Sequence, residues 1–171
     1  NKANYVFGGG SAEFDGTNDI IKTTFEPDNH LLESSVNDAN VNFAVSTWFR
    51  TSQATPNDVM WSWNNGFAVG LQADLGEWSY INNGLAAAES NVRYDGQMDS
   101  NWHHAVIVNL ERTDTPKLYI DGVELSTIAD SGAANPTTSS LVIGGRIQQT
   151  ATWQGQIDEF AIWNRTLSSA E

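Results

Sequence analysis

"GQIDEFAIWNRTLSSAE", Gly155 to Glu171, closes the chain with an alternating apolar pattern around two adjacent acids, Asp158 and Glu159. Side chains alternate across a strand, so residues at i, i+2 and i+4 share a face. A retaining glycosidase built on such a strand needs acids at alternate positions, with two catalytic carboxylates about 5 Å apart. The positions concerned hold Gln156, Asp158 and Phe160. Alternation places Glu159 on the face opposite Asp158, so the two cannot act on one bond. The stretch therefore reads as the last strand of a binding domain. It is expected to give Ile157, Phe160 or Ile162, and Trp163 to a core.

Working back from this strand, no segment keeps a helical period, while several alternate over strand length between Gly, Asn, Asp and Pro. Ser11–Phe14 and Asp19–Thr24 flank the turn "DGTN". Phe43–Thr51 reads "FAVSTWFRT", and Val59–Trp63, Gly66–Gln72 and Trp78–Ile81 follow. His103–Glu111, Lys117–Ile120 before the turn "DGVE", Leu141–Ile143 and Gln156–Trp163 complete the set. Asp121-Gly122 has the composition of a two-residue hairpin turn. Residues 27–42 and 129–140 are polar and read as loops. The pattern predicts an all-β, two-sheet antiparallel sandwich.

Composition bounds the function. The 171 residues, 40% hydrophobic with seven Trp, suffice for one core, so residues 1–171 are read as a single domain. Without Cys the fold needs no disulfide framework. No apolar run approaches the roughly 20 residues that span a bilayer, which argues against membrane insertion. A formal charge of −13 repels phosphate backbones and argues against nucleic acid. That charge serves solubility first and calcium affinity second. The sequence starts without Met and reads as a segment of a longer protein, whose other domains are expected partners.

From Trp102 onward four blocks come in a specific order: "WHHAVIVNL", "LYIDGVE", "LVIGG" and the closing "GQIDEFAIWNRTLSSAE". Together they resemble the laminin-G-like and pentraxin-like jelly rolls of the concanavalin A-like lectin/glucanase superfamily. "AEFDGTNDII" and "FAVSTWFRT" match more loosely. The resemblance implies a two-sheet jelly roll whose relatives bind sugars, other glycans or proteins, often with calcium. In pentraxins an Asp-Asn pair and an acid cluster hold that calcium. The matching positions here are Asn64 and Asn65, and Arg146, Ile147, Gln148 and Gln149, so a guanidinium stands where a hard cation needs anionic oxygens. The resemblance also implies that the first and last strands pair, and the acids then suited to a structural calcium are Asp15 and Asp158. Asp15 has a rival role, because Asp-Gly turns form without metal.

Sugar recognition needs aromatic rings against pyranose faces, with amides, carboxylates and Arg on the hydroxyl rim. The loops "WSWNNG" and "GGRIQQTATWQG" supply these types, and the resemblance places them on one rim of the sandwich. The expected ligand residues are Asn64, Asn65, Arg146, Gln148, Gln149 and Trp153, with Trp153 as the exposed stacking ring. Trp61 and Trp63 share a face, with one of them expected in the core. Trp48, Trp102 and Trp163 read as strand packing. Of the adjacent histidines, one should face the core and the other solvent. With no Gly-x-Ser-x-Gly elbow and no lyase-like set around His30, His103 or His104, the domain reads as non-catalytic. The expected function is carbohydrate or glycan binding by an extracellular or cell-surface module of an adhesin or polysaccharide-acting enzyme. A structural or protein-binding spacer is the alternative, and a polysaccharide hydrolase or lyase the weakest reading.

Overall fold

The strand Phe43–Arg50 is buried over its first five residues, although three of its eight residues are Ser, Thr and Arg. A strand at the middle of a sheet, covered on both faces, loses the apolar-in, polar-out contrast of a half-exposed one. It is β3 in a computed structural model that describes residues 6, 8–24, 43–51, 58–63, 69–74, 77–82, 90–92, 99–109, 117–125, 140–149 and 151–171.

The described residues form strands and turns, and none is helical. The strands are β1 Ala12–Asp15, β2 Ile21–Lys22, β3, β4 Asp58–Trp63, β5 Val69–Asp74, β6 Glu77–Asn82, β7 Ser90–Val92, β8 His103–Asn109, β9 Lys117–Ile120, β10 Val123–Glu124, β11 Leu141–Ile143 and β12 Gln154–Trp163. They make two six-stranded sheets. The front sheet runs β1-β12-β3-β8-β9-β10 and the back sheet β2-β11-β4-β5-β6-β7. Neighbours within each sheet are antiparallel, as the alternation predicts. The first and last strands do pair, with Ala12 opposite Ile157 and Asp15 opposite Gln154. The turn after β1 carries the chain from the front sheet to the back one. There the Asp15 side chain accepts the Thr17 N–H at 2.8 Å, and Gly16 takes φ +78°, a conformation that favours glycine.

The core lies between the sheets. Phe14, Phe43, Val45, Phe49, Ala105, Ile107, Leu118, Ile120 and Ile157 enter from the front, and Met60, Trp61 and Leu141 from the back. Trp61 takes the core position expected of one of the "WSW" pair.

β12 breaks its own alternation. Against β3, Asp158 stands opposite Trp48, but the next paired residue is Ala161, opposite Ser46. Three steps on β12 meet two on β3, so one extra residue is inserted. Glu159, exposed at φ +48°, is that residue. Its N–H is taken by the Asp158 carboxylate at 2.9 Å, and the second Asp158 oxygen accepts the Val6 N–H at 2.7 Å. The bulge shifts the pattern by one position. Ile157 points inward before it, and Phe160 and Ile162 pack on the core after it. Trp163, expected in the core, is turned to the outer face of the front sheet. The cause is the inserted residue, since unbroken alternation from Ile157 would have carried 159, 161 and 163 inward.

Candidate binding face

The outer face of the front sheet is built by residues that alternate with the core set. On β8, Ala105 and Ile107 point inward, which leaves His104, Val106 and Val108 outside. On β3, Trp48 and Arg50 alternate with the buried Phe49. The register places Trp48 opposite His104, and their rings stack at 4.9 Å with planes 25° apart. One residue pair further along, the Arg50 guanidinium lies 5.5 Å from the centre of the Trp102 ring. Burial holds the His104 pKa below its ordinary value, against the opposing pull of Asp121. The imidazole is therefore kept neutral near pH 7.

Toward the C-terminus this face deepens into a groove of about 370 Å³, within the range of small-ligand sites. Trp163, Tyr119, His104, Val106 and Val108 make its floor, and the tail 165–171 makes its wall. The tail is closed on itself. Arg165 grips Glu171 through both terminal nitrogens, at 2.6 and 3.1 Å, and Glu171 also accepts from the Ser168 N–H and hydroxyl. Arg165 first and Ser168 second hold the Glu171 carboxyl down at about 2. Tyr119 donates to Glu124 at 2.9 Å. Burial, then Glu124, raises its pKa, so the phenol stays protonated and its oxygen can accept.

A clamp fixes the hairpin beside the groove. Asp121 at φ +52° and Gly122 at φ +78° form the two-residue turn joining β9 to β10, as the "DG" pair predicts. The Asp121 carboxylate accepts the His104 N–H at 2.9 Å and sits 2.7 Å from His103 Nδ1. The other ring nitrogen of His103 is 3.0 Å from Asp99. His103 packs on the core residue Phe49 at 5.6 Å, while His104 faces outward. The pair thus divides between core and exterior as alternation requires.

Of the residues expected to bind sugar, Trp153 is not the exposed ring that the loop composition suggests. Trp153 is 0% exposed and meets Phe49 edge-on at 6.1 Å, so it cannot stack on a ligand. It is drawn inward because its loop folds back on β4. Trp153 N–H bonds Gly144 O, Thr152 bridges Val59, and Val59 N–H bonds Ala151 O. Gln148 and Gln149 are exposed, and Arg146 is half-buried, with Nε shut off from solvent and without a hydrogen-bond partner among the described residues. Asn64 and Asn65 lie outside the described residues. The Arg146 loop leaves β11 at Gly144, whose N–H bonds Met60 O.

Asp15 and Asp158 do not fit one calcium ion. Asp15 is opposite Gln154, four positions from Asp158 on β12, again about 13 Å of strand. Calcium ligands lie about 2.3–2.6 Å from the ion, so two of them stand within about 5 Å of each other. Each carboxylate is instead engaged locally, Asp15 in its turn and Asp158 at the bulge. Among the described residues no group of three or more His, Asp or Glu is placed to hold a metal.

The groove itself was not foreseen. Its signal in the sequence is the outward half of "HHAVIVN", where His104, Val106 and Val108 repeat at two-residue spacing. The Arg165–Glu171 clasp and the outward Trp163 have no such signal.

A two-sheet jelly roll with aromatic rings along one open sheet face is a lectin-type sandwich. The chain belongs to the concanavalin A-like lectin/glucanase superfamily, whose laminin G family model matches residues 23–171. Among solved structures it is similar to domains LG4-5 of the mouse laminin alpha1 chain, at 16% identity and TM-score 0.65 over 92% of this chain and 44% of that one. It thus spans under half of the laminin segment. It is also similar to a heptameric SAP-like pentraxin from Limulus polyphemus, at 15% identity and TM-score 0.58 over 77% of this chain and 68% of that one. The CBM40 of a Ruminococcus gnavus IT-sialidase, solved with alpha2,3 sialyllactose, aligns over 94% of both chains at 13% identity and TM-score 0.68. A comparison with curated protein sequences finds no match.

Proposed function

We propose that this chain is a non-catalytic glycan-binding module of a secreted or cell-surface protein, and that it binds through the outer face of the front sheet. The observation that carries this reading is the groove where Trp163 and Tyr119 stand beside the polar tail. An aromatic floor suits the apolar face of a pyranose, and the Tyr119 oxygen, Ser46 and Ser168 suit its hydroxyl rim. The likeness to a sialidase CBM40 and to laminin domains supports the class of ligand. The non-catalytic part rests on β12, where Gln156 and Phe160 occupy the places a hydrolase would give to acids. Phe160, moreover, is turned into the core against Trp61 at 6.1 Å.

Binding of the intact chain to a glycan array, beside Trp163→Ala and Arg146→Ala variants, tests the reading. Loss with Trp163→Ala and retention with Arg146→Ala is the expected result. Retention with Trp163→Ala moves the site elsewhere, and an array on which nothing binds favours a spacer domain. Release of reducing ends or unsaturated products from a polysaccharide, abolished by Asp158→Asn, would refute the non-catalytic assignment.

A further inference from the structure

We infer that the groove selects uncharged sugars and discriminates against sialic acids and uronates. The inference rests on the glycan-binding reading above and deepens it to a ligand class.

The argument is an inventory of charge. Among the described residues, Arg165 is the sole cationic side chain lining the groove and Glu171 the sole anionic side chain. They face each other in a two-pronged contact at 2.6 and 3.1 Å. A guanidinium fork is the group that matches a sugar carboxylate in shape and number of donors. Here the fork is already filled by a carboxylate of the protein. Glu171 is also held in place by the Ser168 N–H and hydroxyl, which it accepts beside the Arg165 contact. His104 does not substitute for the fork, since its pKa is lowered and the ring is stacked on Trp48. Lys117, next along β9, is within 3.3 Å of Glu124. An acidic sugar entering the groove would bring a second carboxylate to a site whose positive charge is already matched, on a chain of net charge −13. An uncharged pyranose meets no such opposition. It would lie against Trp163, Val106 and Val108 and exchange hydrogen bonds with Tyr119, Ser46 and Ser168.

The inference separates this chain from the similar CBM40, whose structure contains sialyllactose. In the present groove the arginine is occupied by the protein itself.

The test uses the intact chain and matched oligosaccharides, one neutral and one carrying a sialic acid or uronate, at pH 7. The neutral partner should bind roughly tenfold or more tightly than its acidic counterpart, the scale set by one uncompensated charged hydrogen bond. Trp163→Ala should weaken the neutral binding by roughly 5- to 150-fold. Glu171→Gln frees the fork and should raise affinity for the acidic sugar. Adding Arg165→Gln to Glu171→Gln should cancel that gain, which separates the fork from any loosening of the tail. Acidic sugars bound as tightly as neutral ones, and lost in Trp163→Ala, would overturn the selectivity while leaving the glycan site in place. An unchanged acidic affinity in Glu171→Gln would overturn the occupied-fork argument. Binding indifferent to Trp163→Ala, or no binding at all, would overturn both the site and its selectivity.

Discussion

Trp153 directly precedes β12 and Trp163 ends it, and the structure gives them opposite surroundings that one pair of variants can separate. Trp153 is 0% exposed, enclosed with Phe49 in the core. A buried Trp removes on the order of 200 Å² from water, or about 5 kcal/mol at roughly 25 cal/mol per Å². Truncation to Ala keeps a little of that contact, and measured costs for such changes run about 3–5 kcal/mol. For a chain of this size each kcal/mol moves the melting midpoint by roughly 2–4 °C. Trp153→Ala should therefore lower it by roughly 6–20 °C, with no selective loss of glycan binding in the protein that remains folded. Trp163 is half-buried on the outer face and packs on no second sheet. Its replacement by Ala should cost about 1 kcal/mol or less, while glycan affinity falls by about 1–3 kcal/mol, as for a central contact. Differential scanning calorimetry and glycan titration on the same preparations give both quantities. A Trp153→Ala protein that melts like the parent but no longer binds would refute the assignment and restore Trp153 as the stacking ring.

Gly155 sits at φ +144°, and a Cβ there would come 2.3 Å from the Arg50 carbonyl oxygen. Gly155→Ala should thus cost about 2–4 kcal/mol by calorimetry, because the obstacle is backbone of the neighbouring central strand. Asp99 has its pKa lowered to about 2, first by His103 and then by the Asn101 amide. A depressed carboxylate stabilises the fold above its unfolded value near 3.8 and loses that contribution as pH falls toward 2. Melting curves of the parent and Asp99→Asn should accordingly differ at pH 6 and converge between pH 4 and pH 2; a gap that widens toward pH 2 would contradict the clamp. Asp158→Ala removes the acceptor for Val6 and Glu159. It should lower stability equally in calcium and in chelator, by about 1–3 kcal/mol, and a loss seen only with calcium would argue for a metal at Asp158.

Much of the architecture is carried by short-range chemistry. Alternation in "FAVSTWFR" and "HHAVIVN", and the Asp121-Gly122 pair with its two positive φ angles, are enough to predict antiparallel strands and a tight hairpin. They also predict that His103 and His104 part to opposite faces. The ordered blocks from Trp102 onward carry the pairing of first and last strands. These features depend on neighbours one or two residues away, or on a single sheet, and a linear pattern records them.

The binding face depends on relations a linear pattern does not record. One inserted residue at Glu159 reverses the phase of everything after it, and nothing in "IDEFAIW" marks which residue is surplus, because the bulge is defined by its mismatch with β3. Trp153 looks like a loop residue until its loop folds back on β4 and closes it in the core. Nothing in "GGRIQQTATW" marks that Gln148 and Gln149 stay exposed while Trp153 is enclosed. Arg165 and Glu171 read as ordinary tail charges, and only the folded tail sets them face to face. In sequence, a residue's type fixes which contacts it can make. Which of those contacts forms is decided by strand register and by the competition of all the apolar groups for one enclosed volume, and both are properties of the whole packed chain.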